Sequence, residues 1–218
     1  MRAFIFDWDD TLVQTRQCRF AAIKALGARF YARTLDDAAI EAHWGKPFST
    51  LFSLLFDVQG DQIDIITEQY LSLTDEFPML PHNNAVTTIA KLCDSDCVGI
   101  ATAATRAVVT PDLNRLGFPV VRLAKVQCAE DTTHHKPAAR VFTPLLYELQ
   151  QAGIAVLQIT YIGDSNTDFL AASRANLGFI GICRDSWSAA QFPSVGAKFL
   201  VGLKDLRVRS SPLYFSPL

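Results

Sequence analysis

Short, nearly continuous apolar runs recur along this chain, and they stop at acidic, small or polar residues. Ala3–Phe4–Ile5–Phe6 ends at Asp7, and Val98–Gly99–Ile100–Ala101 ends at Thr102. Leu157–Gln158–Ile159–Thr160–Tyr161–Ile162 ends at Gly163–Asp164, and shorter runs stand at Val120–Val121 and Gly178–Ile182. A strand that is apolar on both faces is buried on both faces, as in a parallel sheet covered by helices. Helical patterns separate the runs, at Asn83–Cys93, Thr105–Leu116, Pro137–Gln151 and Ser165–Ala175. Pro111 interrupts the second, so that helix either kinks there or restarts, while Pro137 suits a first helical position. Strands alternating with helices predict a doubly wound parallel sheet.

The segment from Gln14 to Phe77 breaks this alternation. It holds helix-like stretches around Cys18–Tyr31, Leu35–His43, Ser49–Val58 and Gln62–Thr74, with no convincing strand. The expected organisation is therefore a Rossmann-like α/β core over 1–13 and 79–218, with a small helical domain inserted over 14–78. Lys198–Val201 reads as a last edge strand, and the remainder of Trp187–Leu218 as an extended tail.

Composition excludes several classes of function. The 218 residues are 50% hydrophobic and carry a net charge of −2, which attracts neither nucleic acid nor anionic lipid. The short Arg207–Val208–Arg209 run reads as a solvated end. No apolar stretch reaches the roughly 18 residues of a membrane span, and the N-terminus lacks the apolar core of a secretory signal. Five scattered cysteines, an odd number, point to reduced thiols in a cytoplasmic setting. Cys93 and Cys97 lack a second pair at zinc-site spacing.

Chemistry concentrates where the apolar runs end. In Asp7–Trp8–Asp9–Asp10–Thr11, residues i and i+2 of an extended segment point the same way, so Asp7 and Asp9 can share one small volume. Two carboxylates there resist ionisation unless a cation compensates, and a hard divalent ion such as Mg²⁺ would do so. An acidic turn ahead of a helix explains the same residues. In Gly163–Asp164–Ser165–Asn166–Thr167–Asp168, Asp168 lies one helical turn beyond Asp164, and Ser165 or Asn166 can cap the helix. Thr102–Ala103–Ala104 offers a hydroxyl and small residues that let backbone N–H groups approach an anion. A plain Thr-capped turn also accounts for it. Lys136, kept out of helical geometry by Pro137, can present a point charge to phosphate or remain solvated. His134 and His135 read as loop residues, with His135 placed to position Lys136.

The order Asp-x-Asp, Thr, Lys, Asp-x-x-x-Asp resembles the haloacid dehalogenase-like hydrolase superfamily over nearly the whole chain. Asp7–Asp10–Thr11 looks like its first motif, Thr102 its second, Lys136 its third, and Gly163–Asp164 with Asp168 its fourth. One departure is Asp10, where many relatives carry Gly. The resemblance implies a helical cap inserted after the first motif and a phosphatase, phosphoglycolate phosphatase-like, acting on a small phosphorylated metabolite. It implies Asp7 as nucleophile, Asp9 as acid and base, and Thr102, Ala103, Asp10 and Lys136 around the phosphate. Mg²⁺ would be held by Asp7, the Asp9 carbonyl and Asp164, with Asp168 as a direct or supporting ligand. An acid at Asp9 disfavours dehalogenase and phosphonate chemistry.

A sugar phosphomutase uses the same two aspartates and stays open, as does a non-catalytic phosphate-binding or signalling protein. Trp44–Gly45–Lys46–Pro47 resembles the cap loop that touches substrate in relatives, although Trp44 as a packing residue and Lys46 in a solvated turn fit equally. A monomer or a homodimer is expected.

Overall fold

The computed structural model describes residues 1–184, 190, 192, 198–200, 202, 203 and 206. Val201 of the expected edge strand and the rest of the expected tail, including Trp187 and Arg207–Arg209, lie outside the described residues. Two compact units make up the chain, one from Met1–Val13 with Pro81–Leu218, the other from Gln14–Leu80.

The first unit is built on a six-stranded, all-parallel sheet. Its strands are β1 (Ala3–Phe6), β2 (Cys97–Ala101), β3 (Lys125–Gln127), β4 (Ile159–Gly163), β5 (Gly178–Ile182) and β6 (Lys198–Leu200). Their order is β3-β2-β1-β4-β5-β6. β1 is therefore central, with Phe6 level with Ile100 of β2 on one side and Ile162 of β4 on the other. All four β1 residues are buried, as its uniformly apolar sequence requires. In this order the chain leaves β1 toward β2 and later returns to β1's other side through β4. The carboxyl ends of β1 and β4 thus flank the switch point, where open α/β sheets form their ligand crevice.

Two expected strands shift. Val120–Arg122 is a 3-10 turn with Val121 98% exposed, and the strand follows at Lys125–Gln127. β3 pairs only with β2 and buries only Gln127 fully, so its sequence carries no apolar run. The fourth strand begins at Ile159 because Val156–Gln158 is also a 3-10 turn, leaving Leu157 90% exposed.

Among the described residues this unit carries α5 (Ala85–Leu92), α6 (Arg106–Arg115), α7 (Thr143–Gln151) and α8 (Asn166–Arg174). α6 runs through Pro111 as one element. α7 starts later than expected: Ala139–Phe142 is a 3-10 turn, and Pro144, not Pro137, occupies the helix's first turn. The fully buried Gln127 side chain holds this segment, donating to the Val141 carbonyl (2.6 Å) and accepting from the Leu145 N–H (3.1 Å). Beneath α7 and α8, Ile5, Phe142, Leu145, Tyr161, Ala171 and Phe179 form the core of one sheet face.

The second unit is wholly helical among its regular elements: α1 (Thr15–Phe30), α2 (Asp37–Glu41), α3 (Phe48–Phe56) and α4 (Gln62–Leu73). Its core joins Phe20, Ile23 and Leu26 of α1 to Phe52 and Phe56 of α3 and Tyr70 of α4. Phe52 and Tyr70 meet with ring centroids 5.3 Å apart, a distance favourable for tilted aromatic pairs. None of the described helices is long and apolar enough to cross a membrane.

Candidate active site

Asp7 is the first residue past β1. Its N–H donates to the Ile162 carbonyl (2.8 Å), extending the β1–β4 ladder and fixing the side chain at the switch point. Asp164 is the first residue past β4. Its Oδ1 accepts from the hydroxyl of Thr11 (3.1 Å), a side chain with no solvent exposure.

Asp168 sits in the first turn of α8, where its Oδ2 accepts from the Ser165 N–H (3.0 Å) and the Ser165 hydroxyl (2.6 Å). Ser165 in return accepts from the Asp168 N–H, which completes a capping box. The cap expected from Ser165 is therefore present, and it locks Asp168 in place. The other Asp168 oxygen, Oδ1, lies 2.7 Å from the Lys136 ammonium, which also donates to Asp7 Oδ1 at 2.6 Å.

Asp7, Asp164 and Asp168 form one buried cluster, each offering an oxygen within 4.8 Å of the others. The carboxylate of Asp9 falls outside it, so the structure leaves only its backbone carbonyl as the expected metal donor. Burial, then the charges of Asp168 and Asp9, push the Asp7 carboxyl up to about 7, against the opposing pull of Lys136. Asp164 is pushed well above the usual carboxylate range by burial and by Asp168, Asp7 and Asp10. Burial alone would lower Lys136, but the charges of Asp168 and Asp7 outweigh it and hold the ammonium firmly protonated.

This donor set fits a divalent cation. Three buried carboxylates face one ammonium, and the second oxygens of Asp7 and Asp164 accept no hydrogen bond among the described residues. Asp168 has both oxygens committed to Ser165 and Lys136, so it is a support for the cluster more than an open ligand. The oxygen-only character suits a hard ion such as Mg²⁺.

The second-motif residues follow β2. The Thr102 N–H donates to the Gln127 carbonyl (3.0 Å), and its Oγ1 accepts from the Ala104 N–H (2.9 Å). Ala103 is exposed. His134 and His135 lie in the loop ahead of Lys136, where the His135 carbonyl accepts from the Ala138 N–H (2.9 Å). Asp10 has φ +52°, in the left-handed region that Gly adopts freely. Trp44 and Lys46 belong to the helical unit. Trp44 packs edge-to-face on Phe20 (5.0 Å), as a partly buried member of that unit's core, and Lys46 is exposed with Nζ 3.3 Å from His43 Nδ1.

Two contributors escaped the sequence reading. Tyr161, fully buried in β4, donates its hydroxyl to the Ala101 carbonyl (3.0 Å) and lies 3.4 Å from Asp168 Oδ1. Its ring also carries the Lys136 ammonium at 5.2 Å. Arg184, just beyond β5, donates to the carbonyls of Asp10 (2.6 Å) and Thr11 (2.7 Å). Tyr161 looked like one more apolar strand residue, and Arg184 lay outside every motif.

Residues 4–182 match the family model for haloacid dehalogenase-like hydrolases. The chain belongs to this family. Solved structures agree with its fold. A Thermotoga maritima protein assigned as a beta-phosphoglucomutase superposes with a TM-score of 0.75 at 17% identity, covering 94% of this chain and 95% of that one. A HAD-superfamily hydrolase of subfamily IA, variant 1, from Geobacter sulfurreducens gives 0.74 at 17% identity, over 94% and 93%. A Lactobacillus plantarum protein assigned as a phosphoglycolate phosphatase gives 0.64 at 20% identity, over 94% and 96%. No match was found among curated proteins.

Proposed function

We propose that this hydrolase is a magnesium-dependent phosphatase that cleaves a small phosphate monoester through an aspartyl phosphate on Asp7. The observation that carries this reading is Asp7 itself. It is a buried carboxylate at the switch point, paired with Lys136 at 2.6 Å and clustered with Asp164. Mg²⁺ would be held by Asp7, Asp164 and the Asp9 carbonyl, with Asp168 behind. When bound, it would neutralise the charge of the phosphoryl group and of the carboxylates around it.

An Asp7 carboxylate oxygen attacks phosphorus as the ester P–O bond breaks, and Asp9 gives its proton to the leaving oxygen. A water then loses a proton to Asp9 and attacks phosphorus. The Asp7–phosphate bond breaks, releasing inorganic phosphate and restoring both aspartates. Lys136 keeps Asp7 ionised for attack and faces the phosphoryl oxygens, as does the Thr102 hydroxyl with the Ala103 N–H.

The test is phosphate release from a panel of small monoesters, sugar phosphates included, with Mg²⁺, with chelator, and in Asp7→Asn. Release that requires both the metal and Asp7 is expected. A folded, Mg²⁺-binding protein that releases nothing from any ester would overturn the reading, and interconversion of a sugar phosphate in that experiment would identify a mutase instead.

A further inference from the structure

The turn that carries Asp9 contains a conformational liability and, close by, its restraint. Asp10 adopts φ +52°, a conformation that Gly takes freely and that costs a residue with a Cβ more, Asp less than most. Within the turn, the Leu12 N–H (2.9 Å) and the Val13 N–H (3.2 Å) donate to the Trp8 carbonyl, and Asp9 forms a backbone bridge with Val13. On its outer side the carbonyls of Asp10 and Thr11 both meet one guanidinium, that of Arg184, at 2.6 and 2.7 Å. A planar fork reaching two acceptors fixes orientation as well as distance, which a single ammonium cannot do.

We propose that Arg184 is a positioning residue for catalysis, clamping the Asp10–Thr11 carbonyls so that Asp9 and Thr11 keep their working geometry. Asp9 precedes the clamped pair and Thr11 belongs to it. The Thr11 hydroxyl donates to Asp164 Oδ1, so the clamp extends from the end of β5 to a carboxylate of the metal-competent cluster. Arg184 acts on the backbone carbonyls of Asp10 and Thr11, so its effect passes through the turn. The clamp offsets what a side chain at position 10 costs. A glycine there would adopt the turn unaided and depend on the arginine less.

The kinetic part of this inference rests on the phosphatase reading, but the turn can be tested without substrate or metal. Amide hydrogen exchange of Leu12 and Val13 in the metal-free protein is compared between wild type and Arg184→Met. At least tenfold faster exchange in the variant is expected, with the amides of β4 unchanged. Isothermal titration with Mg²⁺ should show affinity reduced several-fold. With an accepted ester, kcat should fall roughly ten- to a hundredfold while KM moves less than threefold. Arg184→Lys should recover part of the loss, because one ammonium can still reach one carbonyl. In an Asp10→Gly background the Arg184→Met penalty should shrink by about tenfold.

A folded Arg184→Met protein with unchanged Leu12 and Val13 exchange would overturn the proposal, whatever the fate of the phosphatase assignment. So would a purely structural pattern, in which the melting temperature falls while kcat, Mg²⁺ affinity and the coupling to position 10 stay put. Absence of phosphatase activity in wild type with faster exchange in the variant would reject the phosphatase reading and keep the clamp.

Discussion

Gly163→Ala should damage this protein far more than a single methyl group suggests. Gly163 ends β4, and its backbone does not lie in the left-handed region, so an alanine meets no conformational objection there. The objection is space. A Cβ built on Gly163 falls 2.5 Å from Asp168 Cγ and 2.6 Å from both its Cβ and Oδ2. Carbon atoms pack at about 3.5–4 Å, so Asp168 must retreat by roughly 1 Å. It cannot do so freely, because Ser165 grips Oδ2 through two hydrogen bonds and Lys136 grips Oδ1. A retreat of that size stretches the Ser165 contacts beyond hydrogen-bonding distance. Each hydrogen bond to a charged group contributes about 1.5–3 kcal/mol, and partial relaxation recovers some of it, so a net loss of about 3 kcal/mol is expected. That is a large fraction of the roughly 5–15 kcal/mol that holds a domain folded. The assay is urea denaturation of Gly163→Ala beside Ser165→Ala, with turnover measured on both. Ser165→Ala, which breaks the cap without the clash, should lose less. A Gly163→Ala protein within about 0.5 kcal/mol of wild type would show that Asp168 is not wedged against the strand, and the reasoning would fail.

The remaining predictions concern charge and packing. A carboxyl whose pKa is raised on folding binds its proton more tightly in the native state, so Asp7 favours folding fully below 3.8 and progressively less as pH rises to about 7. For a shift of that size the change is about 4 kcal/mol; urea midpoints in chelator at pH 4, 5.5 and 8 should therefore fall with pH, and Asp7→Asn should flatten the trend. Asp164 acts with the same sign, so some slope should survive in that variant. Mg²⁺ should offset part of the loss near pH 8, stabilising the protein by about 2.7 kcal/mol at a hundred times its dissociation constant; Asp164→Asn should abolish this in thermal melts. Trp44→Ala should cost about 2 kcal/mol through lost packing on Phe20, while Trp44→Phe keeps most of that stability. If Trp44→Ala instead left stability intact and changed only ester preference, substrate contact would be the role of Trp44.

What could be read in advance followed from local rules. The apolar β1 run and the acids at its end announce a buried strand pointing carboxylates at a crevice, and β4 with Gly163–Asp164 repeats the pattern. Helix capping correctly placed Ser165 and Asp168, and the structure shows that capping and site-building are one device here: the carboxylate that caps α8 also holds the lysine. Edge strands were harder. β3 buries so little that its sequence looks like a polar loop, and the apolar Val121 shortly before it is exposed instead. Pro137 and Pro144 both satisfy the rule for a first helical turn, and only Gln127, reaching from β3 to Val141 and Leu145, decides between them.

Tyr161 and Arg184 were illegible for a different reason: each acts through an atom that its surrounding pattern hides. In a strand sequence Tyr161 counts as one more large apolar residue, yet its hydroxyl ties the end of β2 to Asp168, and its ring seats the Lys136 ammonium. Arg184 contacts backbone carbonyls, which carry no residue identity, so no motif could connect it to residues 10 and 11. The clue lay in Asp10, where the family pattern places Gly. A side chain at a left-handed position is less favoured than Gly, and two carbonyls 2.6 and 2.7 Å from one guanidinium restrain that turn. A departure from a motif is thus a pointer to a compensating contact, and the place to search is whichever strand end the sheet order brings beside it.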